Sequence, residues 1–324
     1  MVSLYPGTIR ADVGPGPAAS RRFNINDFDV APDDRALVFS ATSGESAFLY
    51  VINLDGTGFR ALTWAAEETH GLPRLSNDGQ KVLFLSFPKI IAAGQKPESR
   101  LYQIDYDGQN QKQLVGPRTY ITEAIYGRQD GEVLFLQADE FRSDAPVSVP
   151  KAHRIDLYSL KVATGEITRL THFSAYEMSN LSLAAGGKKV ILKLGGTVRN
   201  GIYAFEIGKP NSEILISPRT LAIPDNVIEP ALSPDGTKLA FVSPSNSSGT
   251  YRYELFLNSL VGDSSRATQL TQTGKVVHNI RFLRKTPRML FLREPDYPEA
   301  SPRRELMEIG MDGKNLKLID LRAP

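Results

Sequence analysis

A strand–turn–strand phrase, repeated six times, limits what this chain can fold into more than any other feature. Its clearest copy is Leu232-Ser233-Pro234-Asp235-Gly236-Thr237-Lys238-Leu239-Ala240-Phe241-Val242. Residues 75–85 and 30–39 repeat it closely, and residues 126–135, 183–192 and 282–291 keep its apolar frame. In each copy two short β-branched or aromatic runs flank a Pro, Asp or Gly turn, the signature of a tight hairpin. A unit this small cannot bury its own apolar face and must stack on copies of itself.

A second phrase follows each copy. It opens on pairs such as Leu49-Tyr50, Leu101-Tyr102, Leu157-Tyr158, Ile202-Tyr203, Leu255-Phe256 and Leu306-Met307. It closes on segments such as Leu62-Thr63, Leu170-Thr171 and Leu270-Thr271. Each unit thus supplies four strands, A to D in chain order. Without a 3.6-residue periodicity an α/β fold is excluded. Four-stranded units of roughly 40–50 residues have the period of a propeller blade. The predicted fold is all-β: a six-bladed β-propeller over residues 23–324, preceded by an extended lead-in at 1–22. The blades are placed at 23–66, 67–117, 118–173, 174–220, 221–274 and 275–321.

These phrases resemble the TolB-like six-bladed propellers, whose repeats carry a Ser-Pro-Asp-Gly turn, an Ile-Tyr strand and a terminal Leu-Thr. The resemblance covers residues 23–321 and extends to the propeller alone, without the α/β domain that precedes it in TolB. It implies a periplasmic or extracellular location; residues 1–7 carry no signal-peptide pattern, so a native start at Met1 implies cytoplasm. Propellers of this kind host binding proteins, lyases and the gating domains of peptidases.

Composition narrows the function classes. The net charge of +2 has its signs interspersed, which argues against nucleic acid as a partner. The absence of cysteine removes thiol catalysis and thiolate metal sites. No apolar run is long enough to span a bilayer. There is no Gly-x-Ser-x-Gly elbow and no phosphate loop ahead of a helix. Trp64, at the end of a D strand, is expected to pack between blades.

Following strand direction puts the A–B and C–D turns on one face and the B–C loops and D–A links on the other. The repeated Asp-Gly pairs then fall on the first face as turn formers. The long segments 87–100, 139–156, 243–254 and 293–305 are all B–C. Long loops on a rigid scaffold are the usual home of recognition, and aromatic and Arg residues dominate binding hot spots. The candidate ligand contacts are therefore Phe141, Arg142, Tyr251, Arg252, Tyr253, Tyr297 and Arg303, for a protein segment or a glycan.

Near the starts of the A strands lie Asp27, His70, Glu123, Glu177, Glu229 and His278. In a propeller those starts converge on a central channel, where imidazoles and carboxylates suit a divalent cation or acid–base chemistry. Oligogalacturonate lyases, which resemble this repeat class, hold a metal at such a mouth with several histidines. The chain has only 4 histidines and no closely spaced pair. The leading expectation is a non-enzymatic binding propeller with no resident cofactor. The alternative is a metal-assisted polysaccharide lyase or hydrolase at the channel mouth.

Overall fold

The two repeated phrases meet as cross-strand partners. Phe39 lies opposite Tyr50, Phe84 opposite Tyr102, Phe135 opposite Tyr158 and Phe241 opposite Phe256. Their rings sit 5.3–5.7 Å apart, and the first member of each pair, Phe39, Phe84, Phe135 or Phe241, is wholly buried. Aromatic cross-strand pairs of this kind anchor adjacent strands beyond their area of burial. Leu192 with Tyr203 and Phe291 with Met307 occupy the same places in the remaining units.

The computed structural model describes residues 23–89, 97–129, 131–142, 151–184, 186–196, 200–209, 212–216, 227–245, 252–261, 266–297, 299 and 303–322. Among these there are strands and no helix. An antiparallel sheet of β1 (Ile25–Val30), β2 (Ala36–Ser43), β3 (Ser46–Asn53) and β4 (Arg60–Ala61) comes first. A 7-stranded sheet follows, from β5 (Glu68–Leu75), β6 (Lys81–Pro88) and β7 (Ser99–Asp105) through β8 (Lys112–Tyr126) to β9 (Glu132–Arg142), β10 (Lys151–Lys161) and β11 (Glu166–Arg169). Then come β12 (Glu177–Leu183), β13 (Lys189–Gly195), β14 (Gly201–Glu206) and β15 (Ser212–Ile216), again four in a row. The 8-stranded last sheet holds β16 (Ile228–Leu232), β17 (Lys238–Pro244), β18 (Tyr253–Ser259), β19 (Thr268–Gln269), β20 (Val276–Phe282), β21 (Arg288–Glu294), β22 (Glu305–Gly310) and β23 (Lys317–Leu318). A single parallel pair, Tyr253 with Val276, joins its two halves.

The A strands, which are β1, β5, the later part of β8, β12, β16 and β20, contact one another in that order, and β20 also contacts β1. Apolar side chains fill the space between neighbouring sheets. Where the last strands meet the first, Leu283, Leu290, Leu292 and Leu306 pack with Ile25, Phe28, Leu37 and Phe39. Polar contacts reinforce this seam. Arg304 donates to the Asn26 and Asn24 side chains at 2.9 and 3.0 Å, and Asp34 accepts the backbone N–H groups of Arg284 and Lys285 at 2.7 and 2.6 Å.

Two segments differ from the sequence reading. The D strand of the second unit and the A strand of the third form one continuous 15-residue strand, β8. Much of segment 139–156, expected as a loop, is a hairpin extension, with Glu140 paired to His153 and Arg142 to Lys151. Backbone pairing carries on from the strands below with no shift in register.

The Ser-x-Asp-Gly turns are hydrogen-bonded scaffolding. Asp78 accepts from Ser76 Oγ and the Gln80 N–H at 2.6 and 2.9 Å, and Asp235 repeats this with Ser233 and Thr237 at 2.6 and 3.0 Å. The serine hydroxyls and these N–H groups hold both carboxyls below the ordinary aspartate range.

The terminal Leu-Thr is a latch. The hydroxyls of Thr63, Thr171 and Thr271 accept the N–H groups of Leu49, Leu157 and Leu255 at 3.1, 3.0 and 2.9 Å. Thr171 and Thr271 also donate to the buried carboxylates of Asp156 and Glu254, both at 2.6 Å. Replacing Thr271 with Val leaves both groups short of a partner. The expected loss is about 1–3 kcal/mol in urea unfolding, largely restored by Thr271→Ser; equal stability of the Val and Ser variants would contradict the latch.

Candidate functional site

Every A strand carries a one-residue irregularity near its middle, and this decides which side chains face the centre. The pairing with the B strand shifts between Ile25 and Asp27, Gly71 and Arg74, Ile121 and Glu123, Ser179 and Ser182, Ile228 and Ala231, and His278 and Arg281. Leu72, Asn180, Glu229 and Asn279 take left-handed backbone conformations there, with φ between 54° and 57° in three of them and 55° at Leu72. Asn adopts this region readily, whereas Leu and Glu do so at a cost in strain. A bulge bends the strand and re-aims the next side chain.

The result is a cavity of about 520 Å³ walled by residues from all the A strands. Its inner layer includes Glu123, Asn180, Glu229 and Asn279; a second includes Asp29, Arg74, Ser182 and Arg281. Its rim is formed by A–B turn residues, among them Asn77, Arg128, Gly186, Pro234 and Arg284. The cavity therefore opens on the face of the A–B turns.

Arg74 and Arg281 are held by one carboxylate. Asp27, which is 4% exposed, accepts from Arg74 Nη1 at 2.7 Å and Arg281 Nη2 at 3.2 Å. Asp29 lies 3.7 Å from Arg281 Nε and accepts the Leu75 N–H at 2.9 Å. Burial works against the charge on Arg74, but Asp27 and Asp29 outweigh it and hold the guanidinium above its ordinary value. Burial and the charge of Arg74 pull Arg281 down, opposed by the same two aspartates. Both stay charged at any physiological pH.

Two glutamates tie an A strand to the next, β8 to β12 and β16 to β20. Both Glu123 oxygens accept backbone N–H groups, from Asn180 and Leu181 at 2.7 Å each. Burial pushes the Glu123 carboxyl up, against these two donors and Arg74. Glu229 accepts the Asn279 N–H.

Of the residues singled out near the A-strand starts, Glu123 and Glu229 line this cavity, and Asp27 backs its wall. The other three lie elsewhere. His70 is buried against Phe48 and Phe84, with Nδ1 2.8 Å from Thr63 Oγ1; burial lowers its affinity for a proton, with Glu68 opposing. His278 is buried with Nε2 3.3 Å from Glu294, and Glu177 pairs with Lys193 at 2.8 Å. Among the described residues no three His, Asp or Glu side chains converge as metal ligands.

The candidate loop contacts are tied to their own sheets. Phe141 packs on Tyr120 with ring centres 5.2 Å apart, and Arg142 lies 3.3 Å from Glu140. Arg303 pairs with Glu305 at 3.0 Å. The Arg252 carbonyl accepts the Ser245 N–H, the Tyr253 N–H bonds the Lys275 carbonyl, and the Tyr297 N–H reaches the Glu294 carbonyl at 3.5 Å. Tyr251 lies outside the described residues. Trp64, expected between blades, is 76% exposed: Leu62 and Thr63 face inward, and the next side chain turns out.

The sequence reading missed Arg74, Arg281 and Asp29. A signal was available. Aligning the repeats on their turns puts these three at one phase, where Ile125, Ser182 and Ala231 complete the set.

No protein-family model and no curated protein sequence matches the chain. Solved structures do. The chain is similar to TolB from Acinetobacter baumannii, with a TM-score of 0.64 at 14% identity, over 89% of this chain and 64% of that one. It thus spans less than two thirds of TolB's length. It is similar to an oligogalacturonate lyase in complex with manganese, at TM-score 0.60 and 13% identity, over 91% of this chain and 79% of that one. A puromycin-hydrolyzing peptidase of Mycobacterium tuberculosis matches at TM-score 0.57 and 14% identity, over 88% of this chain and 43% of that one. The fold is that of the TolB-like β-propellers, and no helix among the described residues is long and apolar enough to cross a membrane.

Proposed function

We propose that this chain is a non-enzymatic binding module: a six-bladed propeller over residues 23–324 that takes its ligand into the central cavity from the A–B turn face. The blades are those read from the repeats, with the ring closed where β20 meets β1. The observation that carries the reading is the cavity itself, about 520 Å³, with Arg74, Glu123, Asn180, Glu229 and Arg281 among its lining residues and A–B turn residues at its rim. Binding pockets fall in this size range and present a few convergent polar groups. The periplasmic or extracellular location expected from the resemblance completes the proposal.

A metal-assisted lyase or hydrolase is the less favoured reading, because His70 and His278 do not line the cavity with Glu123 and Glu229. A second binding reading uses the opposite face, where Trp64 and Tyr176 are 76% and 46% exposed. There a protein segment or glycan would meet Arg142, Arg252 and Tyr297.

Ser182→Trp, which fills the cavity from its wall, separates the two binding readings. In a thermal-shift screen of polar metabolites and short peptides, compounds that stabilise the protein should lose their effect in this variant and keep it in Trp64→Ala/Tyr176→Ala. Stabilisation that survives Ser182→Trp, or a screen without a cavity-dependent compound, refutes the channel reading.

A further inference from the structure

Resting on that channel reading, we propose that the cavity binds a carboxylate, with Arg74 and Arg281 in its second layer and Arg128 and Arg284 at its rim. The acidic groups in the wall are already engaged by the chain. Glu123 accepts two backbone N–H groups, Asp29 accepts those of Val30 and Leu75, and Glu229 accepts that of Asn279. A carboxylate offers acceptors only, and here the protein's own amides take part of that capacity.

The guanidinium groups are less fully used. Arg74 donates through Nη1, to Asp27 and to the Pro73 carbonyl. Arg281 donates through Nη1 to the Ile280 carbonyl and through Nη2 to Asp27. A guanidinium carries five N–H donors, so each retains others, on side chains that line the cavity.

At the rim, Arg128 is exposed and forms no ion pair among the described residues. Among the described residues the Arg284 side chain reaches only the Asn77 carbonyl, at 3.4 Å. Two positive charges thus flank the opening, while Asp78 and Asp235 on the same face are engaged in their turns and do not line the cavity. The shape suits a small ligand or a chain end, and the planar fork of Arg matches a carboxylate with two parallel hydrogen bonds. Two sources share this chemistry: a free small carboxylate and the C-terminus of a peptide.

Calorimetric titration of the whole chain with citrate, acetyl-trialanine and acetyl-trialanine amide distinguishes them. Binding of citrate or of the free-acid peptide, with no binding of the amide, is the expected result. Arg281→Lys, which keeps the charge beside Asp27, should weaken that binding by about tenfold or more through the lost fork. Arg128→Ser/Arg284→Ser, at exposed positions, should leave the melting temperature unchanged and flatten the dependence of affinity on ionic strength between about 0.01 and 1 M. Equal binding of acid and amide, abolished by Ser182→Trp, overturns the carboxylate assignment while the channel reading stands. Failure of all three ligands to bind also overturns it, and leaves the channel reading to the thermal-shift screen.

Discussion

Replacing Asp27 with Ala is expected to cost about 3–5 kcal/mol of stability, toward the lower end because water in the cavity screens the exposed part of each guanidinium. Asp27 is the single carboxylate shared by Arg74 and Arg281, on the second and last A strands. Without it, two cations share the cavity wall with Asp29, Glu123 and Glu229 as the remaining nearby carboxylates, of which Asp29 is 3.7 Å from Arg281. The loss should appear as a lower urea midpoint. Removing one of the cations as well, in Asp27→Ala/Arg281→Leu, should recover part of it, because the repulsion goes with it. A loss within about 0.5 kcal/mol, typical of surface substitutions, would mean that Asp27 does not hold the pair.

Phe84→Ala should be comparably damaging, at about 3–5 kcal/mol. Phe84 is wholly buried, stacks on Tyr102 at 5.3 Å and packs beside His70 at 5.0 Å. It belongs to the cluster that joins the first sheet to the second, with Val38, Leu49 and Leu75. Truncation opens a cavity between two sheets that the rigid strands cannot close. Phe84→Leu should lose much less, since Leu192 fills the equivalent place in the fourth unit. Chemical denaturation of the two variants side by side checks this, and equal losses would contradict it.

These two residues mark what was legible in the sequence. Phe84 and Tyr102 belong to the repeated phrases, and apolar side chains recurring at one phase are the direct consequence of sheets stacked on sheets. The turn serines and aspartates were legible for the same reason: tight turns demand particular residues. The cavity wall was not. A residue's facing depends on the irregularity in each A strand, and a shift of one residue moves every later side chain to the other surface. His70 and His278 precede it and are buried within the wall, whereas Arg74 and Arg281 follow it and reach the cavity. The hairpin extension at Arg142 and Lys151 was missed because its composition suits a loop as well as a strand.

The contact between β20 and β1 has a consequence for how the molecule comes apart. A linear array of repeats has two exposed ends, which need specialised terminal units, and it unravels from them. Here the last A strand meets the first through Arg281 and Asn279, and Arg304, just ahead of β22, bonds Asn26 of the first, so the two ends of the array are neighbours. Such an array needs no end caps. In the proposed ring, losing one unit breaks two interfaces at once, so unfolding is expected to be cooperative rather than progressive along the chain.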